Sequence, residues 1–404
     1  MEPIALFNNG NIIYWNSIII GLGIIAGCFV TWMLYLGRNR FGAVIYVYLP
    51  LATVGSVYLA RIFHWYCNQE QYKSFSAAMA NMEKGSFLIP GILFACWLLA
   101  LLMQLVHLVK SRFDILDPLA PGLALSLALI KFSDIFTDAC RGKQSVETPF
   151  LQKLPFSVLT IDSAGNMQYR MATFFLTFLL LLLIVVLLLA FYVFDRSETA
   201  TGEAIMQEMQ GTQEMHPVKA AKRKTQADAG KAATICSGNT WRMFLVWYGA
   251  IEIAMDSTRY DASHLYFPGE ALASLNKAAG FMGLSQLLGA IFCIYGIIYY
   301  TVQMRKSKTD TDGAASKTDA ANETDAELQK EKTVRLWLIV IWAVFVISLG
   351  VAGVSEYLVQ RHSSQFLLYF SIQFAASLLL GGCVFGMYRL GLYRMGKHKI
   401  YKKE

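Results

Sequence analysis

Long apolar runs broken by short polar stretches dominate the chain. The clearest, Phe174 to Phe194, carries no charge and is about 20 residues long, the length that crosses a hydrocarbon core of roughly 30 Å. Nine such windows can be read, at 12–36, 43–66, 87–109, 115–136, 172–194, 243–257, 279–304, 335–357 and 366–390. The sixth is short and carries charges. The pattern predicts an all-α polytopic membrane protein of about nine transmembrane helices. The first window is too long for a signal-peptide core and no basic region precedes it, so a retained helix is expected.

Composition agrees. Apolar residues make up 55% of the chain, charged residues only 16%, and the mean hydropathy is +0.43, which leaves too little polar surface for a soluble domain of this length. The net charge of +7 matters less than where the charge falls. With the N-terminus outside, about 24 Lys and Arg lie in inner segments and about 9 in outer ones. The inner set includes Arg38, Arg40, Lys110, Arg112, the run Lys222-Arg223-Lys224 and the C-terminal lysines. N-out, C-in is the expected orientation.

Two inner connections break the apolar rhythm. Residues 196–240 are rich in Gln, Met, Lys and Ala, and 306–333 alternate Thr, Asp, Ala, Lys and Glu. Neither holds enough apolar surface to fold alone, so disorder or weak helix is expected. The chain therefore divides into a membrane domain at 1–304 with an insert near 196–240, a linker at 305–333, and a transmembrane hairpin with a basic tail at 334–404.

Ionisable side chains inside a span are costly and are functional candidates by default. In WYGAIEIAMDSTRYD, Tyr248, Glu252, Asp256 and Arg259 follow helical spacing and would share one face. A network that only holds helices together explains them equally well. In LALIKFSDIFTDACRGK, Lys131, Asp134, Asp138 and Arg141 recur in the same way, and Glu252 is the partner expected for Lys131 by depth. Tyr14 and Arg61 add polar groups near the outer ends of the first two spans. Seven scattered cysteines form no CxxC pair, although Cys67 and Cys140 could meet outside. His64, His107, His264 and His362 lack partners at metal-ligand spacing, so no metal or other cofactor is expected. No GxSxG elbow, phosphate loop or nucleic-acid surface is present in the sequence.

The order of these segments over roughly 5–305 resembles the bacterial phosphatidylglycerol–prolipoprotein diacylglyceryl transferases. The matching stretches are Tyr14 with Gly21, LARIFHWY at 59–66, GSFLIPG at 85–91, LDPLAPGLALSLALIKFSDIFTDACRGK at 116–143, YRMATFF at 169–175, WYGAIEIAMDSTRYD, and FMGLSQLLGAI at 281–291. The resemblance implies transfer of a diacylglyceryl group from phosphatidylglycerol to a lipobox cysteine, in the bacterial cytoplasmic membrane. Phospholipid and a lipoprotein precursor are the partners it implies. It assigns the chemistry to Tyr14, Lys131, Tyr248, Glu252 and Asp256, and substrate binding to Arg61, Asp134, Arg141, Lys143, Arg170 and Arg259. The sequence departs from the family where Lys131 and Glu252 replace arginines and Ile89 and Met171 replace histidines. Two other readings of the buried charge stay open: a lipid-binding or assembly relative without catalysis, and an ion-coupled transporter using Lys131, Glu252 and Asp256.

Overall fold

A computed structural model describes residues 4–8, 11–38, 42–68, 72–80, 87–137, 141–161, 165–213, 238–259, 282–312, 325–361 and 365–394. Asp138, Cys140, Cys236, His264, His362 and the 222–224 basic run lie outside these residues. Each of the nine apolar windows falls on a helix: α1 (Trp15–Arg38), α2 (Ala43–Cys67), α4 (Ile89–Leu105), α5 (Phe113–Ser133), α7 (Thr173–Gln213), α8 (Asn239–Met255), α9 (Leu284–Asp312), α10 (Asp325–Arg361) and α11 (Phe366–Arg394). Seven helices among the described residues are long and apolar enough to cross a membrane. The chain is a multi-pass membrane protein. α4 and α8, at 17 residues each, are shorter.

The helical body carries two additions that the apolar pattern does not announce. β1 (Ile4–Asn8) and β2 (Asn11–Tyr14) form an antiparallel hairpin, and β3 (Ser157–Ile161) pairs with β4 (Met167–Met171) from Ser157↔Met171 to Ile161↔Met167. Short helices α3 (Phe75–Ala80) and α6 (Pro149–Gln152) complete the elements. The polar connections begin as helix, the more ordered of the two forms expected for them. α7 continues past its apolar half to Gln213, α9 to Asp312, and α10 starts at Asp325, so both connections are helical where they join a span. Straight-chain and alanine residues there extend a helix already nucleated in the bilayer.

By contact in space the chain forms two compact units. The first holds 1–139 and 174–244, the second 140–173 and 245–404. In the first, α1 packs chiefly on α5 and α2 on α4. Small residues permit the α1–α5 approach, as is general where lipid gives no hydrophobic drive for helix association. A Cβ on Gly27 would stand 1.9 Å from Ser126 Oγ, and one on Gly122 would stand 2.2 Å from Thr31 Oγ1. In the second unit α10 packs along α11, and α9 against α11. There α8 meets α9 backbone to backbone, since a Cβ on Gly289 would lie 2.4 Å from the Gly249 carbonyl oxygen.

The start of α5 shows how local sequence fixes an entry point. Ser111 Oγ accepts the Phe113 N–H at 3.3 Å and Asp114 Oδ2 accepts the Ser111 N–H at 3.0 Å, a reciprocal cap. Within the next turns Asp117 is buried at 2% exposure and turned to another helix. Its two carboxylate oxygens accept the Gly238 N–H at 2.7 Å and the Trp241 N–H at 3.0 Å, satisfying donors that the start of α8 would otherwise leave bare. Gly238 holds φ +92°, a turn that admits glycine readily.

Candidate functional site

The second unit concentrates its polar side chains where α8 ends. α8 stops at Met255 and a single 3-10 turn, Asp256–Thr258, follows; Arg259 is already extended. Tyr248 and Glu252 therefore share a helix face as expected, but Asp256 and Arg259 do not continue it. The turn arises because Ser257 Oγ donates to the Ala254 carbonyl at 2.8 Å and Thr258 Oγ1 to that of Met255 at 2.7 Å. These hydroxyls take the carbonyls that would have carried the helix onward. Tyr248, Glu252 and Asp256 are all buried, and Tyr248 and Glu252 lie one turn apart on the same face of α8. Arg259 Nη1 meets Asp256 Oδ1 at 3.4 Å, with Arg259 20% and Asp256 3% exposed. The other Asp256 oxygen lies against Gly283, where a Cβ would come within 1.8 Å of it.

The remaining carbonyl at the end of α8, that of Ile253, reveals a group that the residue survey of the sequence passed over. It accepts from Gln373 Nε2 at 2.9 Å and from Gln286 Nε2 at 3.4 Å. Both amides also donate to Glu356 Oε2, at 2.8 and 2.7 Å, while Gln360 Nε2 reaches Glu356 Oε1 at 2.8 Å. Glu356 is 3% exposed and Gln373 fully buried. One carboxylate on α10 thus gathers α9, α10 and α11 around the last turn of α8. The signal was available: Glu356 falls inside the 335–357 apolar window, where a carboxylate is as costly as Glu252 is in its own. Nothing in the linear pattern indicates that three glutamines would meet it.

A basic rim borders this cluster. Residues 142–146 run between β4 and the end of α8: Gly142 N–H donates to the Met171 carbonyl and Lys143 N–H to that of Thr258, each at 2.8 Å, and Ser145 bridges Arg170. Lys143 Nζ donates to Gln360 Oε1 at 3.2 Å. Burial pulls the Lys143 amine below its ordinary value, and the Glu356 and Asp256 carboxylates push it back up. Arg170, on β4, is half-buried and its guanidinium meets the Gln168 side-chain oxygen at 2.9 and 3.1 Å, the amide being oriented by that contact. Arg141, half-buried, lies in an irregular segment, so it does not continue the Lys131 helix face.

The first unit holds the other candidates. Lys131 is 7% exposed near the end of α5, which stops at Ser133. Asp134 opens a 3-10 turn that closes at Phe136, so the helical spacing read from 131 to 141 ends there. Arg61 is fully buried; its Nε donates to the Ala78 carbonyl at 3.0 Å and its guanidinium lies 5.1 Å from the Tyr72 ring centroid. That environment fastens α3 to α2 and occupies much of the fork. Tyr14, just before α1, is 46% exposed, as an interfacial tyrosine would be. Cys67 is a free thiol. Among the described residues no group of three His, Cys, Asp or Glu side chains is placed to hold a metal.

Set against known proteins, the chain matches no protein-family model and no curated sequence.

Proposed function

We propose that this chain is a diacylglyceryl transferase-like protein of the bacterial cytoplasmic membrane, with nine spans, N-out and C-in, acting on phospholipid at the outer face. The observation that carries the reading is the buried set Tyr248, Glu252 and Asp256, with the half-buried Arg259 on Asp256 and Lys143 beside it. The order of matching segments and the inner bias of Lys and Arg support it. In the reaction a lipobox cysteine sulfur bonds to the glycerol carbon that carries the phosphate. The carbon–oxygen bond to phosphate breaks and glycerol phosphate leaves with the bonding pair. The thiol proton passes to the Glu252 carboxylate, which Tyr248 orients, and Arg259 with Lys143 holds the charge gathering on the phosphate. Arg141 and Arg170, in the same unit, are proposed to bind or position the substrates.

One observation favours a second reading. Asp256 is paired with Arg259, and the final carbonyls of α8 are met by Ser257 and Thr258 of its own closing turn and by Gln373 of α11, an arrangement that a lipid-binding or assembly relative without catalysis would also need. The two readings separate in a cell depleted of its own diacylglyceryl transferase. The transferase reading expects growth on expression of this chain, lost in Glu252→Gln and Arg259→Ala variants that still reach the membrane. Absence of growth with the wild-type chain folded in the membrane would favour the second reading.

A further inference from the structure

Lys143 is a flexible cation on a fixed base. Its backbone N–H donates to the Thr258 carbonyl at 2.8 Å, which ties the residue to the turn that closes α8. Its four-carbon stem lets the ammonium swing, and rotamer entropy opposes any single placement. The residue that holds the tip comes from α10: Gln360 Oε1 accepts from Lys143 Nζ at 3.2 Å. Among the described residues no other side chain accepts from this ammonium.

Gln360 is held in turn. Its Nε2 donates to Glu356 Oε1 at 2.8 Å, one turn back on the same helix. The other Glu356 oxygen is fixed by Gln286 and Gln373, at 2.7 and 2.8 Å. Glu356 is buried, so packed helices rather than solvent set its place. The Gln360 amide therefore stands between a carboxylate and an ammonium, each end facing the group it suits. A carboxylate touching Lys143 directly would cancel its charge. A neutral amide takes one of its three N–H groups and leaves two for an incoming anion. The charge of Glu356 still reaches across the amide. Burial pulls the Lys143 amine down, and Glu356 with Asp256 pushes it back up.

α10 lies beyond the segments, ending near 305, whose order supports the transferase reading. We infer that Gln360 and Glu356 are positioning residues for the anion-binding ammonium of Lys143, which makes the C-terminal hairpin a working part of the site. For the identity of the anion, the phosphate of the donor lipid, the inference rests on the transferase reading. For the hold on Lys143 it rests on the hydrogen-bond geometry of α10.

The test uses the full chain in detergent and two readouts. The first is the rate at which N-hydroxysuccinimidyl acetate labels Lys143 at one mildly alkaline pH, read by mass spectrometry against exposed Lys153. Gln360 is exposed, so its variants leave the core intact. Gln360→Met removes the acceptor and quickens labelling about threefold, while Gln360→Glu sets a carboxylate on the ammonium and slows it about tenfold. Val354→Ala, on an exposed face of α10, changes nothing. The second readout is transfer to a lipobox peptide. Gln360→Met and Lys143→Met each lower kcat/KM about tenfold, and the double variant falls no further, because Gln360 acts through Lys143. A contact that only packs α10 would be loosened by both Gln360 variants, so labelling quickened by both, or altered by neither, overturns the inference whether or not transfer occurs. Losses that multiply in the double variant overturn it as well. If the wild type transfers nothing while the two Gln360 variants move labelling in opposite directions, the transferase reading fails and the hold of α10 on Lys143 stands.

Discussion

Truncating Glu356 to alanine removes the acceptor of three amide N–H groups at once. Hydrogen bonds to a charged group contribute about 1.5–3 kcal/mol each, but neutral interhelical bonds in a membrane average nearer 0.6 kcal/mol. Gln286 and Gln373 keep the Ile253 carbonyl as an alternative acceptor, and exposed Gln360 can turn to solvent. The cost should therefore fall at about 2–4 kcal/mol, with Glu356→Gln about half as severe. Denaturation by sodium dodecyl sulfate in mixed micelles reads it, and the double variant with Gln373→Leu supplies a coupling energy, expected to be about 1 kcal/mol or more. If Glu356→Ala unfolded at the same detergent fraction as wild type, the carboxylate would not be holding α9, α10 and α11 around the end of α8.

Gly122→Leu should destabilise α1 against α5 by about 3 kcal/mol or abolish folding, because its Cβ already collides with Thr31 and the Gly27 backbone; thermal unfolding in detergent checks this. Asp117→Ala should cost about 2 kcal/mol and speed hydrogen exchange at residues 238–242, where its two caps are lost. Lys143, lowered by burial, should carry a larger neutral fraction than an ordinary lysine at any pH below 10.5. Acylation mapped by mass spectrometry should therefore rise at a lower pH than at exposed lysines. Glu356→Gln removes a charge that raises the Lys143 value, so it should shift that rise lower still.

The helices were legible because each apolar window is a local property of some 20 residues and the bilayer enforces it. Tyr248 and Glu252 on one face followed from their spacing for the same reason. What failed was continuation: Asp256, Arg259, Asp134 and Arg141 carry helical spacing beyond the point where the helices stop. The stop at α8 depends on Ser257 and Thr258 turning back to their own carbonyls and on glutamines from two other helices. Such contacts join residues up to 120 positions apart, and no local periodicity encodes them. The hairpin β3–β4 was missed for a related reason, being short, half-exposed and set among polar residues rather than in an alternating apolar run.

The central claim is chemical transfer, and one measurement addresses it directly. The purified chain is incubated with phosphatidylglycerol and a lipobox peptide, and the peptide mass is followed. The account predicts that the peptide gains one diacylglyceryl group on its cysteine, with one glycerol phosphate released per peptide and both lost in Glu252→Gln. An unmodified peptide, from a folded chain with phosphatidylglycerol bound, would contradict it.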